Sequence, residues 1–518
     1  MYDIPERFNL AEYYLDARVQ EGHGERTAVI VHGGPTLTYA QVQARSNQCA
    51  HALLRAGADR ESRVLIVLPD CAEFVSTWFG TLKTGAVFAM VNPRLPSEDY
   101  EYYLEYTRAK VLVTTQEVAD RIGEHIENAS FLKTVLVVGG DGSVHPAFDA
   151  ALDQESTEFE NADTHRDDIA GWLFTSGSTG HPKAAVHRHH DYAWNTERYA
   201  KQVLGIRDDD VTISVAKLYF GYATGTNLMF PFSVGAATVL FDGASKPDLL
   251  FDLIEAYKPT MMTNVPTMIG KMLAQPDCPD RNLSSLRLCL SAGEALPAEL
   301  YERWVERTGV EILDGIGSAE MFHIYISNYP GDVKLGSLGK LVPGYEARVV
   351  DPHGNDVPNG DVGTLWIKGE SAAQGYWLDQ VKSRATFAGD WCFTSDQFRK
   401  DDKGYFYYCG RADDLLKVGG IFVSPIEVEN CLLSHDAVEE CCVLGYEEGG
   451  LTKAMACVVL GDAFEGGSDL EKALQAHTKT HLAPYKTPRK VVFLAEMPKN
   501  DRGKMNRKQL KATYGGQG

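Results

Sequence analysis

Between residues 175 and 183 the chain reads Thr175, Ser176, Gly177, Ser178, Thr179, Gly180, His181, Pro182, Lys183, small and hydroxylated residues closed by a lysine. Such a run can wrap a phosphate: glycine lets backbone N–H groups approach an anion, hydroxyls donate to its oxygens, and lysine adds a mobile positive charge. Apolar residues 172–174 read as the end of a buried strand, and a helix is expected to begin near Ala184. A Walker P-loop needs Gly-Lys-Ser/Thr after its first glycine and four further residues. Counted from Gly177, Pro182 takes the second glycine's place and Ala184 follows Lys183, so no hydroxyl stands where that motif holds magnesium.

Five further stretches carry residues suited to chemistry on a nucleotide. Ser291, Ala292, Gly293, Glu294, Ala295 follows an apolar strand. Asp314, Gly315, Ile316, Gly317, Ser318, Ala319, Glu320 contains Gly-x-Gly but lacks the third glycine of a dinucleotide fingerprint. Asp396 closes a run that starts at Trp391, and a carboxylate suits a vicinal diol because it accepts two donors at once. Gly410, Arg411, Ala412, Asp413, Asp414 precedes Lys417, Val418, Gly419, Gly420, and Lys504 ends the run from Pro498.

Taken in this order, these stretches resemble the acyl-adenylate-forming enzymes over nearly the whole chain, with Ala184 where that family usually has glycine, Ala319 for threonine and Ser395 for glycine. The resemblance implies that residues 175–180 and Lys183 clamp the β- and γ-phosphates of ATP. It places Gly293, Glu294 and Ala295 against adenine, and Asp314 to Ser318 along the nucleotide, with Ser318 donating to the α-phosphate. It has Glu320 hold Mg²⁺, Asp396 accept from both ribose hydroxyls, and Arg411 reach ribose or phosphate. Lys504 is then the catalytic lysine: carboxylate attack on the α-phosphate builds negative charge, which a lysine touching both reactants stabilises. Asp413 would be the pivot about which a small domain rotates to present Lys417, Gly419 and Gly420 as a channel for coenzyme A.

The stretch Lys217, Leu218, Tyr219, Phe220, Gly221, Tyr222, Ala223 is similar to the Lys-Leu-Phe-Phe-Ala-Tyr-Gly of benzoate–CoA ligases, and residues 314–328 are similar to theirs as well. This narrows the resemblance to aryl-CoA ligases. An aromatic-acid pocket would be lined by Phe220, Gly221, Tyr222, Ala292, Gly293, Gly315, Gly317 and His323. Glycine at 221 in place of alanine is expected to open room for a ring substituent, which favours 2-aminobenzoate over benzoate, with hydroxybenzoates third. Two alternatives stand beside this one: a stand-alone adenylation enzyme loading a separate carrier protein, and a nucleotide-binding module without catalysis.

Composition bounds these readings. The chain has 518 residues, 44% hydrophobic and 23% charged, with a formal net charge of −21, which argues against a nucleic-acid binder. Charge is uneven, since residues 479–518 carry ten Lys and Arg against two acids, a basic end suited to a polyanionic small ligand. The ten cysteines include no C-x-x-C pair, and no His/Cys spacing matches a structural zinc site, so reduced thiols and a cytoplasmic protein are expected. His187, His189 and His190 are expected as polar surface on the helix after the phosphate loop. Residues 1–19 lack a signal-peptide core and residues 74–91 are too short and interrupted to span a membrane. The sequence is silent on oligomeric state, and a homodimer is compatible with it.

These residues need a scaffold. Short β-branched runs at 64–68, 88–91 and 111–114 alternate with helical patterns at 71–84 and 97–106. The rhythm returns at 211–215, 237–241, 260–264 and 286–290, which predicts α/β architecture with helix-covered, mostly parallel sheets. After about residue 336, glycine-punctuated strands at 347–350, 363–368 and 404–408 indicate a β-rich subdomain. The expected division is 1–412 for an N-terminal adenylate-forming domain, with 336–412 as its β-rich part. Residues 413–518 are expected to form a small mobile α+β C-terminal domain.

Overall fold

A computed structural model describes residues 3–175, 181–294, 296–411, 414, 416–418, 421–448, 451–461, 463–499 and 505–515. The apolar runs form strands buried on both faces, as continuous hydrophobic runs do in helix-covered parallel sheets. Val64, Leu65, Ile66 and Val67 are each wholly buried. Their strand, Arg63–Val67, pairs in parallel with Val87–Met90 and Val111–Thr115. Together with Thr134–Val138, Ile169–Thr175, Lys183–Arg188 and Gly375–Tyr376 these make a seven-stranded sheet. A nine-stranded sheet has a parallel centre that includes Val211–Ser214, Met261–Asn264, Leu288–Ala292 and Ile312–Gly317. Ile324–Ser327 is added antiparallel beside the last of these.

The helices that cover these sheets are built from local signals. Tyr39–Arg55 starts at a reciprocal cap in which Thr38 and Gln41 satisfy each other's backbone N–H groups. Ala72–Lys83 is buried from Phe74 to its end. One continuous apolar core joins Val64 and Phe88 of the seven-stranded sheet, Leu288 and Leu313 of the nine-stranded sheet, and Leu365 and Phe398 of a third. That third sheet is antiparallel and five-stranded, built around Glu346–Val350, Gly363–Lys368, Trp391–Lys400 and Phe406–Arg411. The rhythm of the sequence thus reappears as expected, β-rich part included. Farther along, Val438–Glu448, Leu451–Leu460 and Lys490–Leu494 form a three-stranded sheet, with helices Pro425–Leu433 and Ser468–His481 over one face and Arg507–Tyr514 against the other. Among the described residues no helix is long and apolar enough to cross a membrane.

One local expectation fails. No helix begins near Ala184; Lys183–Arg188 is a strand, the return arm of an antiparallel hairpin with Ile169–Thr175. Alanine's helix propensity is a weak prior. It is overridden because Ala184 and Val186 bury themselves against Trp172 and Val87 while the backbone pairs on both sides. The helix starts at His189 instead, where the Asp191 carboxylate accepts from the Arg188 N–H at 3.0 Å. The three histidines are consequently not surface residues: His187 and His189 are wholly buried and His190 nearly so. His189 accepts from the Leu10 N–H, and burial pushes its imidazole down to about 4, so it is neutral.

Candidate active site

The hairpin fixes both ends of the phosphate-loop segment. Thr175 ends the outgoing strand opposite Lys183, which opens the return strand; Ser176, Gly177, Ser178, Thr179 and Gly180 lie outside the described residues. The base is held by aromatic residues of the helix Ser97–Thr107. The Tyr102 hydroxyl donates to the Pro182 carbonyl at 2.7 Å and its ring stacks on His181. The Tyr106 hydroxyl accepts from the Ala184 N–H and donates to the Trp377 carbonyl.

Strand alternation puts Lys183, Ala185 and His187 on one face, the face that also carries Leu173. From there Lys183 Nζ reaches Asp379 at 3.5 Å and lies 5.7 Å from the Tyr376 ring centroid. The Tyr376 hydroxyl in turn donates to Glu320 Oε1 at 2.6 Å. Burial, reinforced by Glu320, raises the Tyr376 phenol well above its ordinary value, so it stays protonated and remains the donor. Glu320 sits on a single helical turn, Ala319–Met321. That turn is propped from below: His187 Nε2 donates to the Ala319 carbonyl at 2.7 Å, and Nδ1 faces Asp191 at 3.2 Å. Burial would raise the Asp191 carboxyl, but His187, His190 and Arg188 outweigh it and hold it at about 2.

Asp396 and Arg411 lie directly across from one another on the paired strands Trp391–Lys400 and Phe406–Arg411. Burial raises the Asp396 carboxyl above its usual range, Arg411 pulls it back, and the charge of Glu320 adds to the rise. Lys183, Glu320, Asp396 and Arg411, read from separate motifs, are thus coupled through Tyr376 and their mutual charges. Glu320 has one oxygen engaged by Tyr376, and its carboxylate is the hard oxygen donor that Mg²⁺ prefers, so this position fits the ion.

A second group of predicted residues surrounds His323. Its Nε2 lies 3.1 Å from the Tyr222 carbonyl, which only accepts, so Nε2 carries the proton and Nδ1 is left an acceptor. Burial pushes this imidazole down to about 4. The rings of Tyr199, Tyr222, Phe230 and Phe322 enclose it at centroid distances of 4.8 to 5.6 Å. Asp314 is buried nearby, and burial pushes its carboxyl up to about 8. His323 Nδ1, the Tyr222 hydroxyl, Asp314 Oδ1 and Ser318 Oγ are buried without a hydrogen-bond partner among the described residues. Buried polar atoms usually find partners. These four unpaired atoms belong to residues that the resemblance assigns to the nucleotide and the aromatic acid.

Other predicted residues take different postures. A Cβ on Gly221 would lie 3.2 Å from Leu173 Cδ1, so the missing methyl is filled by Leu173 and does not open room for a ring substituent. Gly315 and Gly317 are needed because the strand Ile324–Ser327 and His323 crowd them: a Cβ would come within 2.8 Å of the Ile326 carbonyl oxygen and 2.5 Å of that of His323. Gly293 has φ +91° beside buried Ala292, while Glu294 turns away to accept from Thr267 N and Oγ1. Ile316 is partly exposed and packs on the core, and Phe220 lies 4.8 Å from the Tyr219 ring. Ala295, Asp413, Gly419, Gly420 and Lys504 lie outside the described residues, and Lys417 is described as part of the strand Leu416–Val418. His187, Asp191, Tyr376 and Asp379 escaped sequence reasoning. Only the alternation Lys183, Ala185, His187 carried a signal for the first of them.

The chain belongs to the AMP-binding enzyme family, whose model matches residues 16–377, and the family's C-terminal domain matches residues 427–504. Within that family it falls among the AMP-forming aryl-CoA ligases. It is 42% identical to the benzoate–CoA ligase of Thauera aromatica over 98% of this chain and 97% of the other. The anthranilate–CoA ligase AuaEII, solved with anthranoyl-AMP, superposes with a TM-score of 0.94 at 40% identity, covering 99% and 98% of the two chains. A benzoate–CoA ligase from Burkholderia xenovorans superposes at 0.90 with 39% identity, covering 97% and 99%.

Proposed function

We infer that this chain activates an aromatic carboxylic acid with ATP and passes the aryl group to coenzyme A, with 2-aminobenzoate preferred over benzoate. The observation that carries the chemistry is that charged side chains from separate motifs are linked through Glu320: Tyr376 donates to it and stands beside Lys183, and its charge acts on Asp396, which lies across from Arg411. In the first half-reaction a carboxylate oxygen attacks the α-phosphorus and the bond to the β-phosphate oxygen breaks, releasing pyrophosphate. Lys183 and residues 175–180 hold the leaving phosphates, Ser318 donates to the α-phosphate, Asp396 accepts from the ribose hydroxyls, and Arg411 steadies ribose or phosphate. Glu320 would hold Mg²⁺, which neutralises phosphate charge when bound. Lys504, contributed by a C-terminal domain of residues 413–518, stabilises the charge built during attack on the N-terminal domain, residues 1–412. Rotation about Asp413 then brings Lys417, Gly419 and Gly420 to the site. The coenzyme A thiolate attacks the acyl carbon and AMP leaves.

The preference for 2-aminobenzoate rests on His323. With Nε2–H committed to the Tyr222 carbonyl, the orphan Nδ1 is an acceptor, and an aryl amine is a donor. A site built to bond such a donor leaves a buried group unpaired when the donor is missing. The test is kcat/KM for 2-aminobenzoate, benzoate and the hydroxybenzoates with ATP, Mg²⁺ and coenzyme A. Benzoate ahead by about tenfold or more overturns the preference, a gap within what one polar contact contributes. Absence of acid-dependent pyrophosphate exchange into ATP with every aromatic acid would overturn the ligase reading itself.

A further inference from the structure

Linear spacing hides a constellation on the three-stranded part of the molecule. Cys431 lies in the last turn of Pro425–Leu433, and His477 and His481 stand one turn apart on Ser468–His481, which packs against it. Cys431 and His477 are 46 residues apart in sequence, which no zinc-finger spacing matches. In space, one ligating atom from each of Cys431, His477 and His481 lies within 4.8 Å of the other two. A tetrahedral ion with one sulfur and two nitrogen ligands brings such atoms to roughly 3.3–3.7 Å, within reach of small side-chain rotations.

Each imidazole is held by a hydrogen bond to a main-chain carbonyl. His477 Nε2 lies 3.0 Å from the Cys431 carbonyl, and His481 Nδ1 lies 2.9 Å from the His477 carbonyl. A carbonyl only accepts, so each of these nitrogens carries a proton and the other ring nitrogen keeps its lone pair. This outer hydrogen bond fixes tautomer and ring orientation in metal-binding histidines. Cys431 is a free, partly buried thiol, and the His435 ring stands edge-on to His477 at 5.2 Å.

We propose that Cys431, His477 and His481 form a site for one divalent ion of the zinc class, tying the two helices together. Binding replaces the Cys431 S–H bond by a sulfur–metal bond and releases one proton to solvent, leaving a fourth position for water. Both helices cover one face of the sheet, whereas Met497, Met505 and Leu510 pack on the other. The site is chemically distinct from Glu320, since thiolate and imidazole select zinc-class ions and carboxylate selects Mg²⁺.

The test uses the full chain stripped with a chelator and titrated with Zn²⁺ alone, then with Co²⁺, in excess Mg²⁺. One equivalent should bind and raise Tm, and Co²⁺ should give a thiolate charge-transfer band. Cys431→Ser should abolish the band. The exposed-site change His481→Gln, which should leave aryl-CoA formation intact, should weaken binding at least about tenfold. Binding that survives both substitutions, or no stoichiometric binding by a chain of native circular dichroism, overturns the proposal.

Discussion

Replacing Asp314 by asparagine separates the charge of this residue from its shape. Burial pushes the Asp314 carboxyl up to about 8 in the folded chain, against 3.8 for the ordinary group, and the charge of Glu294 adds to the rise. Between those two values the folded chain keeps a proton that the unfolded chain has released. Stability from this group is therefore greatest at low pH and falls as pH rises, by about 1.4 kcal/mol per unit, levelling off above the folded pKa. Between about pH 6 and pH 8 the wild type should lose about 2 kcal/mol relative to Asp314→Asn, which mimics the neutral form and carries no such slope. Urea unfolding of both proteins at the two pH values reads this difference. Parallel losses would refute the claim that Asp314 is a neutral acid near pH 7. A second arm reads the pocket: as Asp314 ionises above about pH 8 it opposes an entering carboxylate, so KM for the aromatic acid should climb in the wild type and stay level in the variant. A stability slope without that KM difference would place Asp314 apart from the acid.

Two other substitutions address the charged centre. Lys504→Ala should slow adenylation by roughly 10²- to 10³-fold while thioester formation from supplied aryl adenylate persists, and equal loss of both steps refutes the two-pose assignment. Tyr376→Phe removes the donor that orients Glu320 at 2.6 Å, and the Mg²⁺ concentration for half-maximal rate should rise about 10- to 100-fold. An unchanged Mg²⁺ dependence would make Tyr376 a packing residue.

What was legible in the sequence follows from how each feature is encoded. Parallel strands buried on both faces must be apolar along their length, so runs such as residues 64–67 announce themselves, and with them the layered architecture. The partner of a polar side chain has no such local signature. Tyr376 and Asp379 lie nearly two hundred positions beyond Lys183 and meet it because Gly375–Tyr376 pairs along the return arm of the hairpin. Glycine misleads in a related way, because its cause sits elsewhere: Gly221 answers to Leu173, and Gly317 answers to the backbone of His323. The hairpin is the instructive failure. Read as the start of a helix, residues 183–190 put Lys183 and His187 on one face by a four-residue period, yet leave the histidines exposed. Read as a strand, the period of two also joins Lys183 to His187, but burial now sends one side chain toward the phosphate segment's partners and the other under Glu320. Both periods divide that spacing, so the pair alone could not discriminate between them. Ala184 and Val186, apolar and packed on Trp172, decide for the strand, and with it the lysine and the support beneath Glu320 belong to one rigid element.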